Sequence, residues 1–358
     1  MTSSTTPLRG GAIAAICLAT VLAGCSGTDS TDTDSRPAKA AAGKPRPVVD
    51  RATAEQILDT YQDKNNKANK MAGKNRLGAA KVLHQIETGT LLQQSLAGHE
   101  LLPYTSAEHQ RKSKKPFVYT GRRWLIPPRG EANWFAVIAT PTTPGSKPVG
   151  DEQLLIVRKD DKDEAGEPYK LAASVSLDGT RPDIPLDSHG LVRTADPDAR
   201  VGRSSVSAAV PATLDLITDG GTRTSFDWAS SDAKDVMVNT YRTRNDAKCV
   251  TRRFAESSTV THELATYAMQ TKDGVLAVYD IGFTENQKID TDSGKFNCAG
   301  AYLKREGGDP AVQAFADGAF FRSLQLDHLA QAAADLPAQG KPTLLSIDNR
   351  FTGGTSHR

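Results

Sequence analysis

His262-Glu263-Leu264-Ala265-Thr266 opens like the zinc-binding helix of a metalloprotease. That chemistry needs two histidines one helical turn apart on one face, so that both imidazoles reach the same ion. Thr266 stands where the second ligand belongs, and the surrounding residues read as strand. His84 and Glu87 are also one turn apart, in His84-Gln85-Ile86-Glu87, close enough to form a proton-transfer pair or two metal ligands. A solvent-facing charge pair fits the same spacing and is the reading adopted here. The remaining histidines, at 99, 109, 189, 328 and 357, form no ligand cluster in sequence.

Nucleophile and phosphate motifs fail in the same way. Gly202-Arg203-Ser204-Ser205 lacks the second glycine of a nucleophile elbow. Asp219-Gly220-Gly221-Thr222 lacks the spacing and the lysine of a phosphate-cradling loop. No catalytic residue, metal ligand or cofactor is therefore assigned, although carboxylates dispersed in sequence could still meet in space. The densest basic stretch runs from His109 to Lys115, and Arg111, Lys112, Lys114 and Lys115 are its candidate contacts to anionic lipid or wall polymer. A solvated loop is the plainer alternative. Trp124, Trp134 and Trp228 could line a cleft, but packing in the core is the simpler role. The chain carries 44 Lys and Arg against 42 Asp and Glu, so no basic field points to nucleic acid.

The elements that would position these residues fall into two groups. Thr53-x-x-Gln56 has the form of a capping box, and Ile57, Leu58, Tyr61, Ala68 and Met71 follow at helical spacing. A second helix runs from Leu77 to a stop at Thr88-Gly89, and Leu91 to Leu96 adds a further turn. The period then changes to strands around Trp124–Ile126, Trp134–Ala139, Leu154–Val157 and Tyr169–Leu177. A polar junction at 188–204 precedes helices near Ala208–Ile217 and Ala233–Arg244. Strands follow again: Leu264–Met269, a Lys272-Asp273-Gly274 hairpin into Val275–Phe283, and runs at 321–326, 329–336 and 344–351. The pattern predicts an α+β fold of two tandem regions, 51–187 and 205–358, each with short helices before an antiparallel sheet.

Residues 1–24 hold Arg9 as their one charge and an apolar run from Ala12 to Leu22, ending in Leu22-Ala23-Gly24-Cys25. The run is shorter than the roughly 20 residues that cross a bilayer, and it has the length of a signal-peptide core. The tetrapeptide resembles the lipobox of bacterial lipoproteins, which implies removal of 1–24, lipidation of Cys25 and an extracytoplasmic, membrane-anchored chain. Residues 25–50 are Ser, Thr, Asp, Pro, Gly and Ala with almost no bulky apolar side chain, and they read as a tether reaching about 25–30 Å. In an exported protein, Cys249 and Cys298 form an even pair and are expected to be bonded. Closing that loop of about 50 residues would contribute about 4 kcal/mol.

The lipobox and tether, the capped helix with Tyr61 and Asn65-Asn66, Ile86-Glu87-Thr88-Gly89, and the Pro337-Ala338-Gln339-Gly340 turn together resemble a group of uncharacterised actinobacterial lipoproteins. They also resemble the cystatin-like or nuclear-transport-factor-2-like cone, in which helices pack inside a curved antiparallel sheet. The resemblance implies cone-like regions and brings no transferable catalytic residue. The expectation is a non-catalytic binding or interaction module at the cell envelope. The alternative is a binder of a small molecule or cell-wall fragment in the hollow of a cone, and a hydrolase with a dispersed carboxylate site ranks third.

Overall fold

The computed structural model describes residues 44–357 apart from 147–150, 161–167, 178–180, 224, 247–249, 259, 261, 290–310, 312–313 and 315–321. The signal segment, Cys25 and most of the tether, together with Cys249 and Cys298, lie outside the described residues. Residues 45–358 form one compact unit.

The first region opens with three helices: α1 (Arg51–Ala72), α2 (Arg76–Ile86) and α3 (Gly89–Leu101). Asp50, not Thr53, caps α1: its carboxylate accepts from the Thr53 backbone N–H at 2.9 Å and from Thr53 Oγ1 at 2.8 Å. A negative charge there also meets the positive end of the helix dipole. Gly89, expected as a stop, instead begins α3 with φ of 61°, the left-handed conformation that glycine adopts without strain. A short α4 (Ala107–Lys112) follows. The strands β1 (Val118–Leu125), β2 (Trp134–Thr142), β3 (Glu152–Lys159) and β4 (Tyr169–Leu177) make an antiparallel sheet in sequence order, as the alternation predicted.

The second region repeats the plan with α5 (Val206–Thr218) and α6 (Asp232–Arg242) before its strands. These are β5 (Val250–Glu256), β6 (Thr266–Gln270), β7 (Gly274–Ile289), β8 (Ser323–Pro337) and β9 (Thr343–His357). Their order is β5-β7-β8-β9, with β6 also paired to β7 across the expected hairpin. The fold is thus α+β with two open antiparallel sheets. Two details differ from the sequence reading. β5 was not foreseen, because Arg252, Arg253 and Glu256 hide its alternation. Residues 323–326 and 329–336, read as two runs, belong to one strand, β8, whose alanines favour helix until pairing on both sides overrides them.

Side-chain parity sets the layers. On β2, Phe135, Val137 and Ala139 face Leu58, Tyr61 and Ile86 of the helices, while Ala136 and Ile138 face the second sheet. On β7, Leu276 and Val278 meet the first sheet, while Ala277, Tyr279 and Ile281 meet α5 and α6. The order is helix, sheet, sheet, helix, and the two regions share the core between the sheets. Trp124, Trp134 and Trp228 sit one in each core. Gln331, fully buried on β8, spans the inter-sheet space: its amide donates to Ala172 O at 2.9 Å and to Asp280 Oδ1 at 3.0 Å. Its carbonyl accepts from Ser174 N at 3.1 Å. α3 belongs to the first region yet docks on the second, where the Gln94 amide donates to Leu329 O and Asp348 O, each at 3.0 Å. Among the described residues, no helix is long and apolar enough to cross a membrane.

Candidate functional site: a polar cavity around Glu87

Tyr61, Asn65 and Asn69 recur every fourth residue, so α1 presents them along one stripe. That stripe forms one wall of a cavity of about 760 Å3. α3 supplies Gln94, Ser95, Gly98 and His99 opposite, and the strands close the floor with Tyr119, Gln153 and Ser174. Leu83, Leu91, Leu102 and Phe117 intersperse apolar surface. The volume suits a small-molecule site, where pockets commonly run about 300–1,000 Å3.

Glu87, at the C-terminal cap of α2, is a buried and perturbed carboxyl in this wall. It is 1% exposed. The Tyr61 hydroxyl donates to its Oε1 at 3.0 Å, and the Asn65 amide donates to that hydroxyl at 2.7 Å. Its Oε2 is buried with no hydrogen-bond partner in the chain. Burial pushes the carboxyl up to about 7, against the downward pull of the Ser95 and Tyr61 hydroxyls. The same carboxylate and burial drive the Tyr61 and Tyr119 phenols above their usual range, so both remain donors. His99 Nε2 lies 3.0 Å from Asn69 Oδ1, which makes it the protonated nitrogen and leaves Nδ1 as a buried acceptor with no partner. Burial lowers this imidazole's pKa and favours its neutral form.

Gly98 carries a separate signal. Inside a helix, glycine costs about 1 kcal/mol relative to alanine. A Cβ at Gly98 would meet nothing within 4 Å, so packing does not demand glycine there. Gly98 is exposed where it lines the cavity, so an added side chain has open space there.

The sequence-derived candidates are partly brought together here. Lys112 and Lys115 line the mouth, beside His109 and Arg350. Arg111 is exposed and outside the lining, and Lys114 packs towards the end of α1, where a Cβ at Gly73 would stand 3.1 Å from its Nζ. The expected solvent-facing pair of His84 and Glu87 is not formed: His84 is exposed and Glu87 is buried. The signal was present, since Glu87 follows Ala79, Leu83 and Ile86 on the buried phase of α2. His262 is engaged by Thr90, with Nε2 at 2.9 Å from Oγ1. Among the described residues, no three His, Cys, Asp or Glu side chains cluster as metal ligands.

A family model described as a domain of unknown function, DUF8094, matches residues 45–356. The chain belongs to the DUF8094 family. No curated protein matches it. The DUF8094 match starts at the residue where the compact unit starts, and it contains every residue of the cavity wall, from Tyr61 to Arg350.

The DUF8094 fold also holds a buried polar network that sequence reading missed. On the second sheet, Glu285 lies 3.4 Å from His328 Nε2 and 3.3 Å from Arg252 Nε. Burial raises the Glu285 carboxyl, but His328 and Arg252 outweigh it and hold the group below its ordinary value. Phe283 stacks on His328 at 4.4 Å, and Phe351 closes the other side at 4.5 Å. The adjoining hollow is about 130 Å3, too small for most metabolites. Through these contacts Arg252, Glu285, His328 and Phe351 bring side chains of β5, β7, β8 and β9 together.

Proposed function

We propose that this DUF8094 chain is a non-catalytic binding protein of the cell envelope, anchored by lipid on Cys25, whose ligand is a small polar molecule held in the cavity around Glu87. The carrying observation is the cavity itself: about 760 Å3, with Tyr61, Asn65, Ser95, Gln153 and Ser174 as neutral hydrogen-bonding side chains in its wall and Glu87 and His99 among them. A concave site with a few polar groups set among apolar side chains is the usual form of a small-molecule site. This favours the small-ligand alternative over a flat protein-docking surface. A dispersed-carboxylate hydrolase would need a second carboxylate facing Glu87. The other carboxylate of the wall, Asp348, is tied to Arg350 at 3.1 Å. Helices preceding an antiparallel sheet in each region support the cystatin-like comparison, and the Leu22–Cys25 lipobox supports the anchor.

Two experiments test this reading. Replacing Cys25 by serine should move the protein from the membrane fraction to the soluble extracytoplasmic fraction, and unchanged retention would refute the anchor. Replacing Gly98 by tryptophan sets a bulky ring in the cavity lining, at a position where an added Cβ meets nothing within 4 Å. A low-molecular-weight envelope extract should raise the wild-type melting temperature, because a ligand at 100 times its Kd contributes about 2.7 kcal/mol. The Gly98→Trp protein should fold and show no such rise. Equal shifts in both proteins would place the ligand elsewhere.

A further inference from the structure

Two basic stretches meet beside the cavity mouth, which Lys112 and Lys115 line. Residues 64–76, from α1 into α2, carry five Lys and Arg and no acid, and residues 109–115 carry four more and no acid. The two stretches are held side by side: the Asn66 amide donates to Phe117 O at 2.8 Å, and Asn66 Oδ1 accepts from Phe117 N at 3.0 Å. Carboxylates opposing these stretches include Glu108 at 2.8 Å from Lys112 and Glu100 at 3.9 Å from Arg76, and at the mouth Asp348 lies 3.1 Å from Arg350. These are exposed pairs, which hold weakly, and of the nine cations Lys112 and Lys115 are the ones that line the opening. A field of one sign around a concave site concentrates counter-ions into it.

The interior has the opposite character. Tyr61, Asn65, Gln94, Ser95, Gln153 and Ser174 are neutral donors and acceptors, interleaved with leucines and the Phe117 ring. A polyol matches such a wall, because each hydroxyl both donates and accepts while its C–H faces pack on apolar surface. Lys112 and Lys115 stand at the rim of that wall, where an anionic substituent on the polyol would lie. Ammonium groups on flexible stems suit a phosphate, which they meet as point charges.

We infer that the ligand of this cavity is a phosphorylated polyol, its hydroxyls inside and its phosphate at the Lys112–Lys115 rim. The inference rests on the cavity being a ligand site. Free sugar phosphates and phospholipid headgroups share this chemistry, and the test separates them.

The test is calorimetric titration of the full chain with glucose 1-phosphate, inositol 1-phosphate and glycerol 3-phosphate, each against its neutral parent. Phosphatidylcholine vesicles containing phosphatidylinositol or phosphatidic acid form the second arm. At least one phosphate, free or as phosphatidylinositol, should bind at least tenfold more tightly than its neutral or polyol-free counterpart. That preference should collapse in Lys112→Gln/Lys115→Gln and in 0.5 M NaCl, and all binding should vanish in Gly98→Trp. Equal binding of neutral and phosphorylated probes, lost in Gly98→Trp, would overturn the phosphate and keep the cavity. Equal binding of both anionic vesicles, retained in Gly98→Trp, would make the basic face a bilayer contact and overturn the inference. Binding of no probe would overturn it too, while a Gly98-dependent shift with envelope extract would still stand for the cavity.

Discussion

Replacing Gln331 with alanine should destabilise the protein by about 4 kcal/mol, the summed effect of several buried polar groups left unpaired at once. The Gln331 side chain joins Ala172 O and Ser174 N of the first sheet to Asp280 of the second, and it is fully buried. Removing it leaves a backbone acceptor, a backbone donor and a carboxyl without that partner. Asp280 keeps its bond from Ala265 N at 3.0 Å, but burial already holds its pKa above the ordinary value, a sign of a poorly solvated site. Urea denaturation should show a lower midpoint with an unchanged slope, which reports lost stability without a change in the exposed surface. A loss under about 1 kcal/mol would mean that the two sheets are joined by apolar contact alone.

The second large effect concerns Glu87 and has a definite sign. Its folded pKa is about 7, above the ordinary 4.5, so the folded state holds this proton more tightly than the unfolded state does. The associated stability is full below about pH 4.5 and is lost as pH rises through 7. A separation of that size corresponds to about 3 kcal/mol. Glu87→Gln keeps an oxygen for the Tyr61 hydroxyl and cannot ionise. The variant should therefore be more stable than wild type at pH 8 by up to about 3 kcal/mol, and the advantage should shrink towards zero at pH 4.5. Paired denaturation profiles between pH 4.5 and 8.5 measure it, and taking the difference cancels other titrating groups. A difference that does not change with pH would show that Glu87 is solvated.

Most of the element order was legible because it rests on local rules. Tyr169–Leu177 alternates cleanly, Asp273-Gly274 forms the hairpin, and the Pro337–Gly340 turn separates two strands. What could not be read depended on partners distant in sequence. Gln331 looks like any polar residue until Ala172 and Ser174 are placed opposite it. α3 contributes to both regions through Gln94, whose partners lie more than 230 residues away. The site was half legible. The basic run at 109–115 was marked, and Lys112 and Lys115 do reach the mouth. Glu87 was set aside as a surface charge because its spacing to His84 outweighed its phase with Leu83 and Ile86. Gly98 offered no signal until the space beside it was known.

Native mass spectrometry of the protein released gently from its own membranes tests the ligand-binding claim most directly. Wild type should carry a bound mass of about 200–600 Da, the size that a cavity of this class encloses. Gly98→Trp, purified in the same way, should carry none. A wild-type protein that emerges bare, or an adduct equally present in Gly98→Trp, would contradict the assignment of the cavity around Glu87 as the binding site.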